Sequence, residues 1–326
     1  YRSRSCDFCP AGTYQDETGT TVCKNCQTAH FNIKGGQTTC EECAVGFYNN
    51  KEAQTSCFRC AAGTYNDDTA STSCTDCSIN SAQEQTGQTT CNACKDGTEA
   101  LLPGLSQCNS CLPGYYSNND TSNVCETCTQ GTYQDKYGAS QCKNCQPGTY
   151  TDFAQAAECI ECSAGYFQPD EQATSCDPCP IGTYQSSTGQ TECIECPAGT
   201  YNNLLGQVEC RKCDPGKVQN ETGMTSCYKC EAGTFSDKNS DAIECKECPT
   251  GHAIGIPGST ACLPCPTGYV ASITGLSTCS QCGMGSFSAV EGADTCQSCG
   301  YGKYNDARAQ TQCFRCDAGT FSNRTA

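Results

Sequence analysis

The stretch CPAGTYQDETGTTVCKNC, residues 9–26, decides the fold. It opens on a cysteine, reaches a glycine three residues later and a tyrosine two beyond that. It then crosses a polar, turn-rich segment and ends on a C-x2-C pair. Read outward in both directions, the same arrangement recurs to the two ends of the sequence. All 38 cysteines fall in C-x2-C pairs, from Cys6 and Cys9 to Cys313 and Cys316. Seventeen of the eighteen steps between successive pairs are 17 residues long, and the other, Cys227 to Cys245, is 18. Self-similarity at a fixed period is the signature of a repeat architecture. Residues 1–326 therefore read as a single continuous array of 19 C-x2-C-x13 repeats, with an 18-residue repeat at 227–244 and an incomplete last repeat at 313–326.

Composition explains why cysteine has to carry such an array. Leu, Ile, Val and Phe together supply only 34 of 326 residues, and the formal net charge is −16. Chains this poor in large apolar side chains and this charged stay disordered unless something other than a hydrophobic core orders them. Covalent staples must take that place. The excess of Asp and Glu argues against nucleic acid, whose phosphates require a basic face. No apolar run is long enough for a transmembrane helix, so no membrane segment is expected in this chain.

Each repeat reads as a small β-hairpin. A glycine follows the second cysteine by three residues in 17 of 19 repeats, the exceptions being Ala29 and Asn80. Glycine once exchanged for asparagine is what a position with φ > 0 selects, so a tight turn is expected there. Tyr or Phe stands two residues on in 14 of 19 repeats, for example Tyr14, Phe31, Tyr48 and Tyr65. These rings are expected to supply most of the buried apolar surface. An Asn/Asp/Gly-rich stretch, then Gly or Ala, then Thr or Ser before the next cysteine completes a strand, turn, strand pattern. The extra residue of the 18-residue repeat lies in FSDKNSDAIE, after Cys230 and before Cys245, where a hairpin tip best tolerates it. With strands about 4.8 Å apart, two per repeat, the array is expected to be a linear solenoid or rod of about 19 hairpins, on the order of 190 Å long.

Three readings of the cysteines compete. In the first, the second cysteine of one repeat is bridged to the first of the next. That order joins Cys9 to Cys23, Cys26 to Cys40, Cys43 to Cys57, Cys60 to Cys74, Cys77 to Cys91 and Cys94 to Cys108. It continues with Cys111 and Cys125, Cys128 and Cys142, Cys145 and Cys159, Cys162 and Cys176, Cys179 and Cys193, and Cys196 and Cys210. The last are Cys213 and Cys227, Cys230 and Cys245, Cys248 and Cys262, Cys265 and Cys279, Cys282 and Cys296, and Cys299 and Cys313. A bridge closing a 15-residue ring stabilises by about 3 kcal/mol in the chain-entropy account. An interlocked variant joins Cys6 to Cys23 and Cys9 to Cys26 and leaves one pair over. The second reading is zinc, because C-x2-C-x13-C-x2-C approaches ribbon-type ligand spacing. However, 19 pairs do not divide into fours. The third is C-x-x-C redox chemistry, which has no need of 19 copies. The strict period favours the sequential bridges, and bridges place the chain in an oxidising compartment, secreted or at the cell surface.

Repeats such as CPAGTYQDETGTTVCKNC and CPIGTYQSSTGQTECIEC (residues 179–196) resemble the ephrin-receptor-like cysteine-rich repeat, and more broadly the growth-factor-receptor and tumour-necrosis-factor-receptor modules. The resemblance covers the whole chain. In the tumour-necrosis-factor-receptor modules C-x-x-G-x-Y/F closes its hairpin onto the next cysteine, which here implies Cys9 with Cys23 and Cys60 with Cys74. The chain departs from those receptors in repeating only the simple module.

The expected function is that of an extracellular structural glycoprotein, forming or contributing a segment of a filament, surface hair or matrix fibre. The alternative is the ectodomain or stalk of a cell-surface receptor or adhesion protein that binds a protein ligand. Sequential bridging leaves Cys6 and Cys316 over, for an inter-subunit or flanking disulfide. Expected partners are thus copies of the chain itself, head to tail or lateral, or continuation of the same chain. A junction between copies would enclose about 15 residues, close to the spacing inside the repeats. N-x-T sequons at Asn119, Asn220 and Asn323 are candidate glycan acceptors at hairpin tips. His30 and His252 lie in distant repeats and are expected to be exposed. No catalytic constellation, cofactor site or calcium-loop spacing can be assembled, so an enzyme is not expected. Repeats five and six lack the aromatic, and Leu101 and Leu102 are unusually apolar for a tip, which makes them the alternative's contact patch.

Overall fold

The computed structural model describes residues 5–118, 120, 122–237 and 242–323, and among them every regular element is a two-residue β-strand. The chain forms two compact units. The first comprises Tyr1–Gln146, Tyr150–Ile160 and Glu171–Ser175, and the second Pro147–Thr149, Glu161–Asp170 and Cys176–Ala326.

In the first unit the pattern is set by its opening hairpin. Thr13–Tyr14 pairs antiparallel with Lys24–Asn25, Thr13 opposite Asn25 and Tyr14 opposite Lys24. The turn into the first strand places Gly12 at φ 83, and the Thr13 amide donates to the Pro10 carbonyl at 3.1 Å. A left-handed residue at the third position is the requirement of a type II turn, which glycine meets without steric cost. Ala29 and Asn80, the two exceptions, hold the same conformation at φ 67 and 59. The Cys26 amide then donates to the Gly12 carbonyl at 3.0 Å and closes the hairpin.

The second strand is not where the Thr/Ser pattern suggests. It occupies the two residues inside each C-x2-C pair, Lys24–Asn25 here, while Ser and Thr before the cysteine form bends. Two strand residues bracketed by cysteines hold the register covalently, so no propensity signal is needed there. In the second unit the same hairpin is built by Thr183–Tyr184 against Ile194–Glu195. In the 18-residue repeat, Phe235 pairs with Lys246 and Thr234 with Glu247, so the extra residue is absorbed between the strands. Residues 238–241, within that loop, lie outside the described residues.

Three main-chain bonds stitch each hairpin to the next. In the first unit these run from Gly12 N to Asn32 O at 2.9 Å, Gln15 N to Gln37 O at 3.1 Å and Gly36 N to Cys9 O at 2.8 Å. Their counterparts in the second are Gly182 N to Asn202 O at 2.8 Å, Gln185 N to Gln207 O at 3.0 Å and Gly206 N to Cys179 O at 2.9 Å. The turn glycine meets a further neighbour, two repeats along. A Cβ on Gly12 would collide with the Ala53 carbonyl, and one on Gly182 with the Gly223 carbonyl. Each of these glycines is thus required twice, by its φ and by close backbone approach.

The expected aromatic core is not what fills the interior. Tyr14, Phe31, Tyr48 and Tyr65 are half-buried, and Tyr304 and Phe321 are exposed. The buried centre is instead the second cysteine of each pair, with Cys26, Cys43 and Cys60 at 0% exposure, together with the residue that follows the aromatic. A strand only two residues long offers a ring one neighbouring hairpin and open solvent, so it cannot be enclosed.

Candidate functional site: the bridged spine

The residue after the aromatic is a neutral polar side chain in 16 of 19 repeats, and most are sealed inside: Asn49 at 0%, Asn202 at 1% and Gln219 at 2% exposure. A buried amide costs free energy at each end left without a hydrogen bond, and a buried unpaired charge costs far more. The amide nitrogens reach two kinds of carbonyl, and Asn32 and Asn202 reach both. Asparagine reaches back to the preceding hairpin, Asn49 Nδ2 donating to the His30 carbonyl at 2.8 Å and Asn66 Nδ2 to the Phe47 carbonyl at 2.7 Å. Glutamine, one methylene longer, spans its own hairpin, Gln83 Nε2 donating to the Thr90 carbonyl at 2.8 Å and Gln219 Nε2 to the Ser226 carbonyl at 2.9 Å. The oxygen end accepts a main-chain amide two residues on in several of them, from Lys51 to Asn49 at 3.0 Å and from Gln85 to Gln83 at 3.1 Å, whereas the buried Asn202 Oδ1 has no partner. Sequence reasoning missed this column. Its signal was available: none of the 19 positions after the aromatic carries a charge.

Beside the column run the bridges. Eighteen disulfides join the second cysteine of one repeat to the first of the next, from Cys9 with Cys23 to Cys299 with Cys313. Their Cα atoms stand 5.7 Å apart in nearly every case, the separation natural to a bridge. Seventeen span 14 residues, and the 18-residue repeat spans 15 between Cys230 and Cys245. Thirty-six thiols are consumed in this way. The four-thiolate zinc and interlocked readings therefore have no cysteines left, and no group of three or more His, Cys, Asp or Glu poised for a metal occurs among the described residues. Cys6, exposed, and Cys316, half-exposed, are free thiols.

Surface electrostatics add little to the spine. Lys24 Nζ lies 2.7 Å from Asp16 and 2.9 Å from Glu17. The hydrogen bond from Lys24 holds the Asp16 carboxyl below its usual range, and the bonds that Lys24 donates to Asp16 and Glu17 raise its ammonium above its own. Lys143 lowers Asp135 and Lys217 lowers Asp214 by the same kind of bond. All of these groups face solvent, where an ion pair is screened and worth little.

The remaining sequence candidates are scattered. Asn220 and Asn323 are exposed, and Asn119 lies outside the described residues. His30 and His252 are half-buried rather than exposed, each with Nδ1 close to the carbonyl two residues before it, at 3.1 and 3.2 Å, in separate units. Leu101 and Leu102 are solvent-facing at 59% and 66% exposure. Where Ala82 stands in place of the aromatic, an open cleft of about 960 Å³ is lined by Ala82, Gln83, Gln85, Gln88, Lys95 and Thr98, among others. No helix among the described residues is long and apolar enough to cross a membrane.

No curated protein matches the chain. A family model does. The family described as tyrosine-protein kinase ephrin type A/B receptor-like matches residues 31–77, 114–158, 148–191, 182–226 and 268–309. The matched segments cover more than half of the chain, four of the five begin on the turn glycine, and each spans between two and three repeats. With the hairpin register, the turn glycine and the sequential bridges all in place, the chain belongs to the ephrin-receptor-like cysteine-rich repeat family and is an extracellular cysteine-rich module.

Proposed function

We propose that this module is a load-bearing segment of an extracellular structural protein, a filament, surface hair or matrix fibre, and that its role is mechanical rather than catalytic. One observation carries the reading. Each hairpin is held by a bridge and by main-chain bonds to its immediate successors, so the described repeats are interchangeable in structure and tension passes from bridge to bridge. Such local, nearest-neighbour stability lets an array lengthen without redesign. Copies of the chain, or further repeats of the same chain, join through Cys6 and Cys316, and N-linked glycans on the exposed Asn220 and Asn323 keep the surface hydrated. The test is disulfide mapping of unreduced native material together with electron microscopy of the same sample. A Cys6 peptide linked to Cys316 of another copy, with filaments in the images, supports the reading. Both cysteines recovered as free thiols from dispersed monomers would sink it.

The interruption of the aromatic stripe at Ala82 and Glu99, with the open cleft and the exposed Leu101 and Leu102, favours a second reading, a receptor or adhesion stalk with one contact patch. The double variant Leu101→Ser, Leu102→Ser separates the two. Loss of cell or protein binding with filaments intact supports the stalk, and no change in either removes the patch.

A further inference from the structure

The sequon Asn220-Glu221-Thr222 lies within the hairpin closed by Cys213 and Cys227, and there each of its residues is engaged. Asn220 Oδ1 accepts the Tyr228 hydroxyl at 2.9 Å. The Glu221 amide donates at 3.1 Å to Oε1 of Gln219, the buried member of the polar column. The Thr222 hydroxyl donates at 2.7 Å to the carboxylate of Glu195, in the second strand of the hairpin two before, and the next amide, of Gly223, donates to the Cys196 carbonyl at 2.8 Å. The triplet is pinned from its own hairpin and from the Glu195–Cys196 segment. A glycan acceptor must offer both its amide nitrogen and the hydroxyl two residues on, and here the hydroxyl is taken and the backbone is fixed. The Asn220 nitrogen itself takes part in none of these bonds, and the residue is exposed, so a sugar once attached fits the folded hairpin.

We propose that Asn220 accepts an N-linked glycan only while its hairpin is open, so that glycosylation and closure of the Cys213–Cys227 bridge compete for the same segment. Transfer forms a bond between Asn220 Nδ2 and the anomeric carbon of a polyprenyl-diphosphate-linked oligosaccharide. The sugar–phosphate bond breaks, the amide loses a proton and the lipid diphosphate leaves. Closure converts two thiols to a disulfide, with the two electrons and two protons passing to a small-molecule or protein disulfide of the oxidising compartment. Whichever comes first decides the outcome: a closed hairpin stays bare, whereas a glycosylated one still closes. The inference rests on the secreted-glycoprotein reading above.

The test expresses the full chain behind a secretion signal in animal cells and reads the glycosylated fraction at each sequon by mass spectrometry after deglycosylation in heavy-oxygen water. Three conditions are compared: the unaltered chain, the same chain with dithiothreitol during synthesis, and the Cys213→Ser, Cys227→Ser variant. The glycosylated fraction at Asn220 should be incomplete in the first and higher in both others. The fraction at Asn323, far along the chain from the Cys213–Cys227 bridge, should be the same in the double-serine variant as in the unaltered chain. An Asn220 fraction equal in all three, whether full or zero, overturns the competition. Glycan at Asn323 with an unresponsive Asn220 removes only this inference, while bare sequons throughout remove the glycoprotein reading itself.

Discussion

Reduction under tension offers the sharpest test of the spine. With bridges intact, a stretched repeat can lengthen only along the path from bridge to bridge. That path is one Cα–Cα span of 5.7 Å across the disulfide plus the three residues from Cys23 to Cys26, about 10–11 Å when extended, giving about 16 Å per repeat. Breaking one bridge replaces the 5.7 Å span with the 14 residues it had bypassed, so each reduction event should release about 41–45 Å. Eighteen bridges would release roughly 740–800 Å in all. The assay is a force clamp on single chains tethered through fusions at both ends, with Cys6 and Cys316 alkylated, first in oxidising buffer and then in dithiothreitol. The expected record shows no large steps before reductant and a staircase of near-uniform steps afterwards. Interlocked bridges would instead leave the 14 residues from Cys26 to Cys40 unbridged and give steps of about 41–45 Å already in the oxidised chain. Such steps without reductant would refute the connectivity and, with it, the mechanical reading.

Three further outcomes follow from the geometry. Gly182→Ala and Gly206→Ala share a positive φ, so each carries the left-handed penalty of about 1–2 kcal/mol. A Cβ would collide with a main-chain carbonyl, that of Gly223, only at Gly182, whereas at Gly206 it would meet Pro178 at ordinary contact distance, so only the Gly182 variant should also raise hydrogen exchange around Gly223; equal effects would remove the close-approach argument. Asn49→Ala leaves the His30 carbonyl and the Lys51 amide without their partner and should cost about 1–3 kcal/mol. The loss would register as faster exchange at Lys51 and a lower urea midpoint on the reduced-alkylation timescale, while Gln297→Ala, at an exposed strand position, should be near neutral. The carboxyls of Asp16, Asp135 and Asp214 are held low by lysine, so their contribution is full above the ordinary aspartate pKa and fades as pH falls through and below it. Calorimetry should therefore show a flat thermal midpoint from about pH 5 to 8 and a small decline below about pH 4, which about 1 M salt abolishes. A steep transition between pH 5 and 8 would require a titrating group buried in the fold.

The cysteine period was legible because a covalent spacing cannot drift: a bridge tolerates only a narrow Cα separation, so an array of bridges writes its repeat length into the chain. The turn glycine was legible for a similar reason, since few residues accept positive φ, and Ala29 and Asn80 marked the same position by exception. The sequence by itself thus determined a bridged, all-β hairpin array and an oxidising compartment. It did not determine where the second strand lies, because two residues between cysteines are held by the bridges and need no strand propensity. Nor did it reveal the interior. Tyr14 and its equivalents read as core by hydrophobicity, yet hairpins this short cannot surround a ring, and the enclosed space beside the bridges is lined by main-chain carbonyls and filled mostly by neutral amides and hydroxyls, with Ala100, Ile254 and Ala271 in three repeats. Which carbonyl each amide meets, on the preceding hairpin for Asn49 or on its own for Gln83, depends on the stacking of one hairpin on the next. Only the tertiary structure decided that, because the partners stand 19 or 7 residues away with no local pattern to announce them.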